Sequence, residues 1–414
     1  MNRIGLCAAA WMVWAVSAHA ADVSVTVKDV PVPGLVWCKP AGPLDEKTAY
    51  ALVNGERTLP AQADADGRLW WYQPVTCPGE KGCTYRLEAR SSPTGGGIRV
   101  EKAEGDTINV TLDGKPFTTF NYAKSLPKPF LYPVFGPTGA AVTRHYPMKE
   151  VEAEPAKERD HPHHRSIWTA HGDVRLGDFS KSGSDYWMQD ADGSARPRRG
   201  VQRVARISRA EGGPVFGVIE ARIDWISAAG RKELSETRTY RFFKAGPDER
   251  VIDVRNVLSF TEGDVMFGDT KEGGMVSIRV AASMDENSGG RMVNSRGAAG
   301  MKNCWGEPAE WCDYVGPVEG RTLGIAVFNA PGSFGFPTRW HIRDYGLYTA
   351  NPFMARAATS ERKKQDPSVQ VLVGSHAWKK GESATFEYRI LIHTGDTQAA
   401  RVAEHYRLYE QGVN

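Results

Sequence analysis

Short runs rich in β-branched and aromatic residues recur along the chain and restrict its fold more than any other feature. Examples are RLWWYQPV, TINVTL, ARIDWIS, RVIDVRNVLSF and TFEYRILIH, each bounded by Gly, Pro, Asp or Asn. Runs of this length and composition are typical of strands, and the regular strand–helix alternation that parallel sheets require is missing. The pattern therefore predicts a mostly β protein, built as a large antiparallel β-sandwich.

Local signals divide this β protein into parts. ELSETRTYRFF is followed by RVIDVRNVLSF across the turn KAGPDE, which indicates a hairpin. DTQAARVAEHYRLYEQ has apolar residues at helical spacing, with Asp396 or Thr397 as the N-cap. The Ser/Gly-rich stretch SSPTGGG predicts a joint. We expect a small N-terminal β module over residues 21–97, and a main β-sandwich domain with a C-terminal helix over 98–414.

The first twenty residues predict export. MNRIGLCAAAWMVWAVSAHA has a basic start at Arg3, an apolar run and the small-residue ending AHA. This is the pattern of a secretory signal peptide over residues 1–20, cleaved after Ala20. No later run approaches the roughly 20 apolar residues that span a bilayer. The net charge of +3 gives no reason to expect a nucleic-acid partner. The mature protein is therefore expected in the periplasm or outside the cell.

Five cysteines remain once the leader is removed. In an oxidising compartment, closely spaced pairs are candidates for disulfide bonds. CPGEKGC predicts a bridge between Cys77 and Cys83, and CWGEPAEWC predicts one between Cys304 and Cys312. Cys38 is then the unpaired thiol. A zinc site is the rival interpretation, but neither spacing is the C-x₂-C typical of zinc ligands and no histidine lies close by.

The stretch DHPHHRSIWTAHGDV carries the densest chemistry in the chain. It contains four of the ten histidines, His161, His163, His164 and His171. Imidazole can serve as a metal ligand or as an acid or base near neutral pH. A solvated loop of hydrogen-bonded histidines is the structural alternative, but the density of histidines favours a functional site.

Three further loops combine Gly, aromatic and ionisable residues. FGDTKEGGM and NSRGAAGMKNCWGEPAEWCDY carry carboxylates and tryptophans beside glycines, while PTRWHIRDYGLYTANPF places a histidine between two arginines on one face of a predicted strand. Two cations beside a histidine suit an anionic or polyhydroxy ligand. Structural roles, as a polar hairpin or as packed tryptophans, are the alternatives. The candidate residues in these loops are Asp269, Lys271, Glu272, Arg296, Trp305, Glu307, Glu310, Trp311, Arg339, His341, Arg343 and Tyr345.

These motifs, together with GGRMVNSRG and YRILIHTGD, resemble the bacterial domain family named methane oxygenase PmoA-like. Methane oxidation itself is not expected of a chain that has no membrane span after its leader. The resemblance implies instead a β-sandwich similar to the galactose-mutarotase-like supersandwich, which is frequent in carbohydrate-degrading bacteria. In mutarotase-like enzymes a histidine and a carboxylate act as acid and base on a sugar ring. No residue-by-residue catalytic motif carries over.

The leading hypothesis is an exported carbohydrate-active enzyme that needs no cofactor. It would perform hydrolysis, elimination or epimerisation on a sugar, glycoside or uronic acid, with carbohydrate as its partner. Its expected catalytic residues are His163, His164, His171, His341, Asp269, Glu272 and Glu310. Its expected substrate-binding residues are Arg165, Trp168, Lys271, Arg296, Trp305, Glu307, Trp311, Arg339, Arg343 and Tyr345.

Two alternatives remain open at this point. The first is an enzyme dependent on a divalent metal (Zn, Cu or Fe), with His161, His163, His164 and His171 as ligands, because imidazoles with a carboxylate suit these ions. The second is a non-catalytic carbohydrate-binding protein that stacks its tryptophans on sugar faces. The enzyme hypothesis requires the histidine-rich stretch and the strand around His341 to converge on one site.

Overall fold

The fold is that of a computed structural model describing residues 23–79, 82–92, 96–152, 154–188 and 198–411. The predicted signal peptide, residues 1–20, lies outside these residues. The chain is mostly β, with 48% strand and 9% helix, and its named sheets are antiparallel throughout. The prediction of a mostly β, antiparallel architecture is therefore confirmed. No helix in the described residues is long and apolar enough to cross a membrane.

The N-terminal part of the described chain forms a six-stranded sheet. Its strands are β1 (Ser24–Val27), β2 (Gly34–Cys38), β3 (Ala49–Asn54), β4 (Arg57–Ala63), β5 (Leu69–Gln73) and β6 (Cys83–Arg90), in the spatial order β1-β6-β3-β4-β5-β2. One face buries its own apolar cluster, which includes Val27, Leu52 and Trp71. The predicted disulfide between Cys77 and Cys83 is present beside this cluster.

Two eight-stranded sheets build the rest of the molecule. The first large sheet contains β7 (Ile98–Ala103), β8 (Thr107–Leu112), β9 (Lys115–Asn121), β10 (Phe130–Val134), β11 (Ile167–His171), β18 (Gly273–Arg279), β22 (Trp340–Ile342) and β23 (Leu347–Ala350). Its spatial order is β22-β23-β18-β11-β10-β9-β8-β7. Strands that are far apart in sequence, such as β11 and β18, therefore lie side by side.

The second large sheet contains β13 (Val201–Glu211), β14 (Phe216–Ile226), β15 (Lys232–Phe243), β16 (Glu249–Ser259), β19 (Arg291–Asn294), β20 (Trp311–Val318), β21 (Arg321–Asn329) and β25 (Ser383–Thr394). Its order is β13-β14-β15-β16-β25-β21-β20-β19. The predicted hairpin is β15 with β16, which pair antiparallel from Ser235–Ser259 to Phe243–Val251. A three-stranded sheet joins β12 (Val174–Leu176), β17 (Val265–Phe267) and β24 (His376–Trp378).

In the part of the chain that the structure describes, helices are few and short. They are α1 (Met301–Cys304), α2 (Ala355–Gln365) and α3 (Val402–Gln411), with 3-10 turns at Ala156–Glu158, Ala282–Met284 and Glu286–Ser288. The predicted C-terminal helix is α3, but it begins later than the sequence indicates. The Asp396 carboxylate accepts the backbone N–H groups of Gln398 and Ala399 in a preceding turn, which delays the regular helix to Val402.

The main core lies between the two large sheets. Alternate residues of β14, among them Ile219, Ile223 and Trp225, face it, because successive side chains of a strand point to opposite faces. Thr169 of β11 also points toward the second large sheet, where its Oγ1 is 3.5 Å from Nδ2 of Asn256. Trp168, the preceding residue, therefore lies on the opposite, outer face of the first large sheet. The candidate site is built on that outer face.

The second predicted disulfide is corrected by the structure. Cys304 and Cys312 are free, buried thiols, as is Cys38. Cys304 ends α1, where its thiol donates to the Ala298 carbonyl at 3.3 Å, and Cys312 lies in β20 close enough for each thiol to affect the pKa of the other. The sequence therefore predicts correctly that the two sulfur atoms are neighbours. The disulfide bond that the same spacing predicts is not formed.

Candidate functional site

The histidine loop, residues 160–166, is the last part of the long connection between β10 and β11. A buried arginine holds it in place. Arg144 is fully buried, and its Nη1 donates to the Glu158 carbonyl at 2.7 Å and to Oδ1 of Asp160 at 2.5 Å. Its Nη2 donates to the carbonyl oxygens of Asp160 and His161 at 2.9 and 3.2 Å. One guanidinium thus donates hydrogen bonds to four oxygen atoms of residues 158–161. These bonds fix the backbone from which the histidines project.

A second buried arginine approaches the same loop from the first large sheet. Nη2 of Arg279, at the end of β18, donates to Oδ1 of Asp160 at 3.0 Å and to Oε2 of Glu158 at 3.2 Å. Its Nη1 is 3.2 Å from Nδ1 of His164. Two cations and two carboxylates therefore form one largely buried network. Both carboxylates are engaged by arginine, and burial raises the pKa of the Glu158 carboxyl against the opposing charge of Arg279.

Asp160 also orients a histidine. Its Oδ2 is 2.5 Å from Nδ1 of His161, whose side chain remains 39% exposed. Partial burial by itself would raise the pKa of the Asp160 carboxyl, but the hydrogen bond to His161 and the charge of Arg279 outweigh it and hold the pKa below its ordinary value. The carboxylate is thus ionised, and Nε2 of His161 has no partner within the described residues.

The backbone at both ends of the histidine motif is strained. His161 has φ +45° and Ser166 has φ +56°, in the left-handed region that residues other than glycine seldom adopt. Each such residue costs roughly 1–3 kcal/mol and persists only where surrounding contacts enforce it. At His161 the contacts are the Arg144 hydrogen bonds to the loop carbonyls. At Ser166 they are the backbone N–H of Arg279 donated to its carbonyl and its own hydroxyl donated to Thr143. Strain that is stored in this way is typical of functional sites.

Aromatic rings line the same loop in parallel. The His161 ring lies 5.1 Å from the Tyr345 ring and 4.8 Å from the His164 ring, with interplanar angles of 8° and 6°. His164 in turn stacks at 5.3 Å on Trp168 of β11. Trp187 meets His164 edge-on at 5.5 Å. The histidines are thus packed into an aromatic wall on the outer face of the first large sheet.

The two adjacent histidines are neutral. Burial, followed by the charge of Lys128, lowers the pKa of His163 to about 2. Burial, followed by the neighbouring His163, lowers the pKa of His164 well below its ordinary value. Burial, followed by the charge of Arg165, also lowers the pKa of Lys128 to about 7, while its Nζ donates to the Trp187 carbonyl at 2.6 Å. His163 and His164 can therefore donate or accept hydrogen bonds without carrying charge.

The loop around His341 approaches the site from the far edge of the same sheet. His341 pairs with Thr349 of β23, Thr349 with Ser277 of β18, and Ser277 with Trp168 of β11. Those three inter-strand steps of about 4.8 Å separate His341 laterally from the aromatic wall. Burial, followed by the charge of Arg343, lowers the pKa of His341 to about 3.

Tyr345 links the His341 strand to the histidine loop. The guanidinium groups of Arg279 and Arg343 lie 4.8 and 5.6 Å from the centre of its ring. The same ring stacks on the His161 ring. Lys271 and Glu272 form a partly exposed pair at 3.7 Å, and the Glu272 charge acts on Tyr345. The structure therefore brings the first and fourth predicted loops to one site, with the second loop at its margin.

Other predicted site residues lie elsewhere or have structural contacts. His171 is buried at the opposite end of β11; its Nε2 is 2.9 Å from the Gly268 carbonyl, and burial lowers its pKa to about 4. Asp269 accepts the backbone N–H of Arg356 at 2.9 Å and so caps α2. Glu310 binds Ser295 and Arg296, and Trp311 packs in the apolar cluster on the outer face of the second large sheet. These residues are not brought to the histidine loop.

The remaining predicted residues are spread around the margins. Glu307 pairs with Arg362 of α2, and Arg339 donates to the Gly306 carbonyl at 2.7 Å. Trp305 meets His341 edge-on at 6.4 Å, and the Arg165 guanidinium lies 5.4 Å from the centre of the Phe130 ring.

The four-histidine metal set does not come together. His171 lies apart, His161 is occupied by Asp160, and His164 by Arg279. Within residues 23–79, 82–92, 96–152, 154–188 and 198–411, no group of three or more His, Cys, Asp or Glu side chains is arranged to hold a metal ion. The closely spaced histidines therefore form a cluster held by ring stacking and hydrogen bonds. They do not form the predicted four-histidine metal site.

Sequence reasoning missed the residues that organise the cluster. They are Lys128, Arg144, Glu158, Trp187 and Arg279. Arg279 alone left a readable signal, since it ends the otherwise apolar run GGMVSIRV, where a buried strand leaves no room for an unpaired charge. His161 was considered only as a metal ligand, although its carboxylate neighbour in the DH dipeptide indicates a different role.

Comparisons with known proteins give a family and some distant folds. A model of a family of unknown function, DUF6807, matches residues 107–407. No curated protein matches the chain by sequence. The earlier resemblance to the methane oxygenase PmoA-like domain is wrong, because the family match is to DUF6807 and no PmoA-like family matches.

Solved structures to which the chain is similar include a GH36 α-galactosidase from Geobacillus stearothermophilus, determined in complex with raffinose. It is 11% identical with a TM-score of 0.35, over 76% of this chain and 43% of its own length. A GalM/aldose epimerase homologue from C. elegans is 8% identical with a TM-score of 0.28, and a putative aldose 1-epimerase from Escherichia coli K12 is 11% identical with a TM-score of 0.28. Each covers 73% of this chain and all of its own. The chain spans less than half the length of the α-galactosidase.

Proposed function

The chain belongs to DUF6807, a family of unknown function, and we propose that it is an exported enzyme performing acid–base chemistry on an anionic sugar such as a uronic acid. The observation that carries this proposal is the Asp160–His161 pair, anchored by Arg144 and Arg279. An ionised carboxylate on Nδ1 keeps the proton on that nitrogen. Nε2 of His161 is then an acceptor, oriented by a rigid support and available to take a proton from a substrate.

The neutral histidines complement this base. His163 makes no hydrogen bond to any described residue, and its low pKa keeps it uncharged at neutral pH. The N–H group of a neutral imidazole can donate a hydrogen bond to an oxyanion that develops during the reaction. In this mechanism His161 removes the proton, while His163 stabilises the charge that appears on the substrate oxygen.

One arginine supports an anionic substrate. The cations around the histidine loop, such as Lys128 and Arg144, have carboxylates acting on them, among them Asp185 and Glu154, so Arg343 and not the net charge favours an anion. Arg343 has a buried Nε without a hydrogen-bond partner in the described chain. Its guanidinium is the group that we assign to a substrate carboxylate, because the planar fork matches a carboxylate bidentately.

The state of the carboxylates distinguishes the reaction types. Hydrolysis by most glycosidases needs two carboxyl groups about 5–10 Å apart, one of which is free to act as an acid or nucleophile. Glu158 and Asp160 are both tied to buried arginines. In elimination His161 takes the proton beside the uronic-acid carboxyl, the C–O bond to the leaving oxygen breaks, and the protonated His161 gives that proton to the leaving oxygen. In epimerisation His161 keeps the proton and water returns a proton to the opposite face of the same carbon. We therefore favour these two reactions over hydrolysis.

Export is part of the proposal. The N-terminal leader pattern and the Cys77–Cys83 disulfide both suit an oxidising compartment.

The decisive experiment compares His161→Asn with His376→Asn. Both replace a partly exposed histidine with a similar polar side chain, but His376 lies in β24 away from the loop. Oligomers of galacturonate, glucuronate and mannuronate are screened for unsaturated products by ultraviolet absorbance and for epimers by proton NMR. We expect His161→Asn to lose about 10²- to 10⁴-fold in kcat, the usual contribution of a general base, and His376→Asn to behave as wild type. Wild-type turnover in His161→Asn would refute the proposed base.

A further inference from the structure

A cavity lies on the other side of the molecule, away from the histidine loop. This cavity of about 390 Å³ is formed between the N-terminal sheet, the second large sheet, the loop after β21 and the end of α3. Its volume falls within the roughly 300–1,000 Å³ of small-molecule sites. The floor carries Thr239, Arg241, Asp253, Arg255 and Glu387. Their neighbours along the strands, such as Tyr240, Ile252 and Phe386, face the main core, so the cavity opens on the face turned away from the histidine loop.

The charged groups of the floor are already paired. Arg241, Asp253 and Arg389 lie opposite one another on β15, β16 and β25, as do Thr239, Arg255 and Glu387. Arg389 binds Asp253 through two hydrogen bonds of 2.6 and 2.9 Å, and Arg255 lies 2.7 Å from Glu387. These cross-strand pairs cancel each other's charge and present a polar but balanced surface.

Three charged side chains at the rim have no such partner. Arg68, Asp66 and Glu410 line the cavity, and within the described residues none of them is in an ion pair. Arg68 instead places its guanidinium 4.7 Å from the centre of the Trp37 ring, and its Nε has no hydrogen-bond partner. Asp66 and Glu410 are exposed. The rim thus offers donors from Arg68 and acceptors from the two carboxylates.

Aromatic rings complete the walls. Trp37 and Trp70 are contributed by β2 and β5, 6.0 Å apart between ring centres, and Tyr409 by α3. Trp70 is buried, with the Arg241 and Arg389 guanidinium groups over its ring, so partly exposed Trp37 is the ring that can meet a sugar. Three arginines and four carboxylates line the cavity, so its lining carries no excess of positive charge.

From this arrangement we infer that the cavity binds a neutral carbohydrate, as a segment of two or three sugar units. Paired and unpaired charges of both signs hydrogen-bond hydroxyl groups, which are donors and acceptors at once, while aromatic walls pack against the apolar faces of sugar rings. An anionic ligand would meet Asp66 and Glu410 without a compensating excess of cations. The inference does not depend on the proposed function, since none of the cavity residues belongs to the histidine site.

The test is hydrogen–deuterium exchange of the mature chain, residues 21–414, with cellotriose, maltotriose and trigalacturonate. We expect a neutral trisaccharide to protect peptides covering residues 64–73 and 328–333, and trigalacturonate to leave them unchanged. Isothermal titration should show about tenfold weaker binding of that trisaccharide to Arg68→Ala and to Asp66→Asn. Arg222→Ala, an exposed arginine on β14 outside the cavity, is the matched control and should bind as wild type.

Three results would overturn the inference. They are the absence of protection at these peptides with both neutral trisaccharides, equal affinity of wild type, Arg68→Ala and Asp66→Asn, or stronger protection by trigalacturonate than by the neutral sugars. Asp66 is exposed, so Asp66→Asn should fold even if Arg68→Ala does not, and circular dichroism checks both. Loss of uronate turnover in His161→Asn, with cavity binding retained, separates this site from the proposed active site.

Discussion

Single residues in the histidine network are strongly interdependent. Asp160 meets Arg144, Arg279 and His161 at once, so replacing any one of them changes the contacts that hold the other three. A buried pair of charges adds little stability compared with apolar residues of the same size, but removing one partner leaves the other desolvated and uncompensated. The network is therefore a support for His161, and the histidine loop should unfold locally when it is broken.

Arg279→Met tests that dependence directly. The substitution leaves Glu158 buried, and it removes one of the two cations that bind Asp160. We expect the free energy of unfolding to fall by about 3–5 kcal/mol, measured by urea denaturation. The matched control is Arg296→Met, whose 53%-exposed side chain pairs with Glu310 at 3.2 Å and should change stability by less than about 1 kcal/mol. Similar losses in both variants would show that the buried network has no special role.

At the scale of elements, α2 depends on a residue that looked catalytic in the sequence. Asp269 accepts the backbone N–H groups of Arg356 and Gly374 and so holds the helix start against the segment that follows the helix. Asp269→Ala should reduce stability by about 0.5–2 kcal/mol, the usual effect of losing an N-cap acceptor. Asp366→Ala, at the exposed C-terminal end of the same helix, is the control and should change thermal unfolding little. An unchanged melting temperature in Asp269→Ala would remove the capping role.

The cysteines give a second prediction at this scale. Cys38, Cys304 and Cys312 are free but buried, and burial raises the pKa of the Cys38 thiol to about 11. In the chain from residue 21 onward, a thiol reagent should label almost none of them in the native state and three after denaturation. A single thiol after denaturation would mean that Cys304 and Cys312 are bridged, contrary to the structure.

The sequence predicts elements well where the signal is local. Strands such as β15 and β16 are readable because alternation and turn residues act over a few positions. The densest histidine stretch is readable for the same reason. Arg279 and His164 are 115 residues apart, and their contact exists only because β11 and β18 are neighbours in the sheet. Spacing could not reveal that pairing, and it equally could not separate His171, which lies in the same stretch but at the far end of β11.

The whole molecule carries several buried neutral histidines, which couples its stability to pH. Burial lowers the pKa of His163 to about 2, of His171 to about 4 and of His341 to about 3, and that of His164 also lies well below its ordinary value. In the unfolded chain each titrates near 6.5. Below that pH the unfolded state binds more protons than the folded state, so stability falls as the pH falls.

Urea denaturation between pH 7.5 and pH 4.5 should therefore show a free energy of unfolding that declines below about pH 6.5. Each such histidine contributes up to about 1.4 kcal/mol per pH unit, until the pH reaches its folded pKa. His171→Gln should reduce that slope, because His171 lies outside the histidine loop and Gln does not titrate. His393→Gln is the opposing control: the charge of Asp313 outweighs burial and raises the pKa of His393. Its stabilisation is fully present below pH 6.5 and is lost as the pH rises through the folded pKa, so this variant should lack the stability that wild type gains between pH 7.5 and 6.5 and should keep the wild-type slope below pH 6.5. A slope that is the same in wild type and His171→Gln would contradict the buried neutral state of His171.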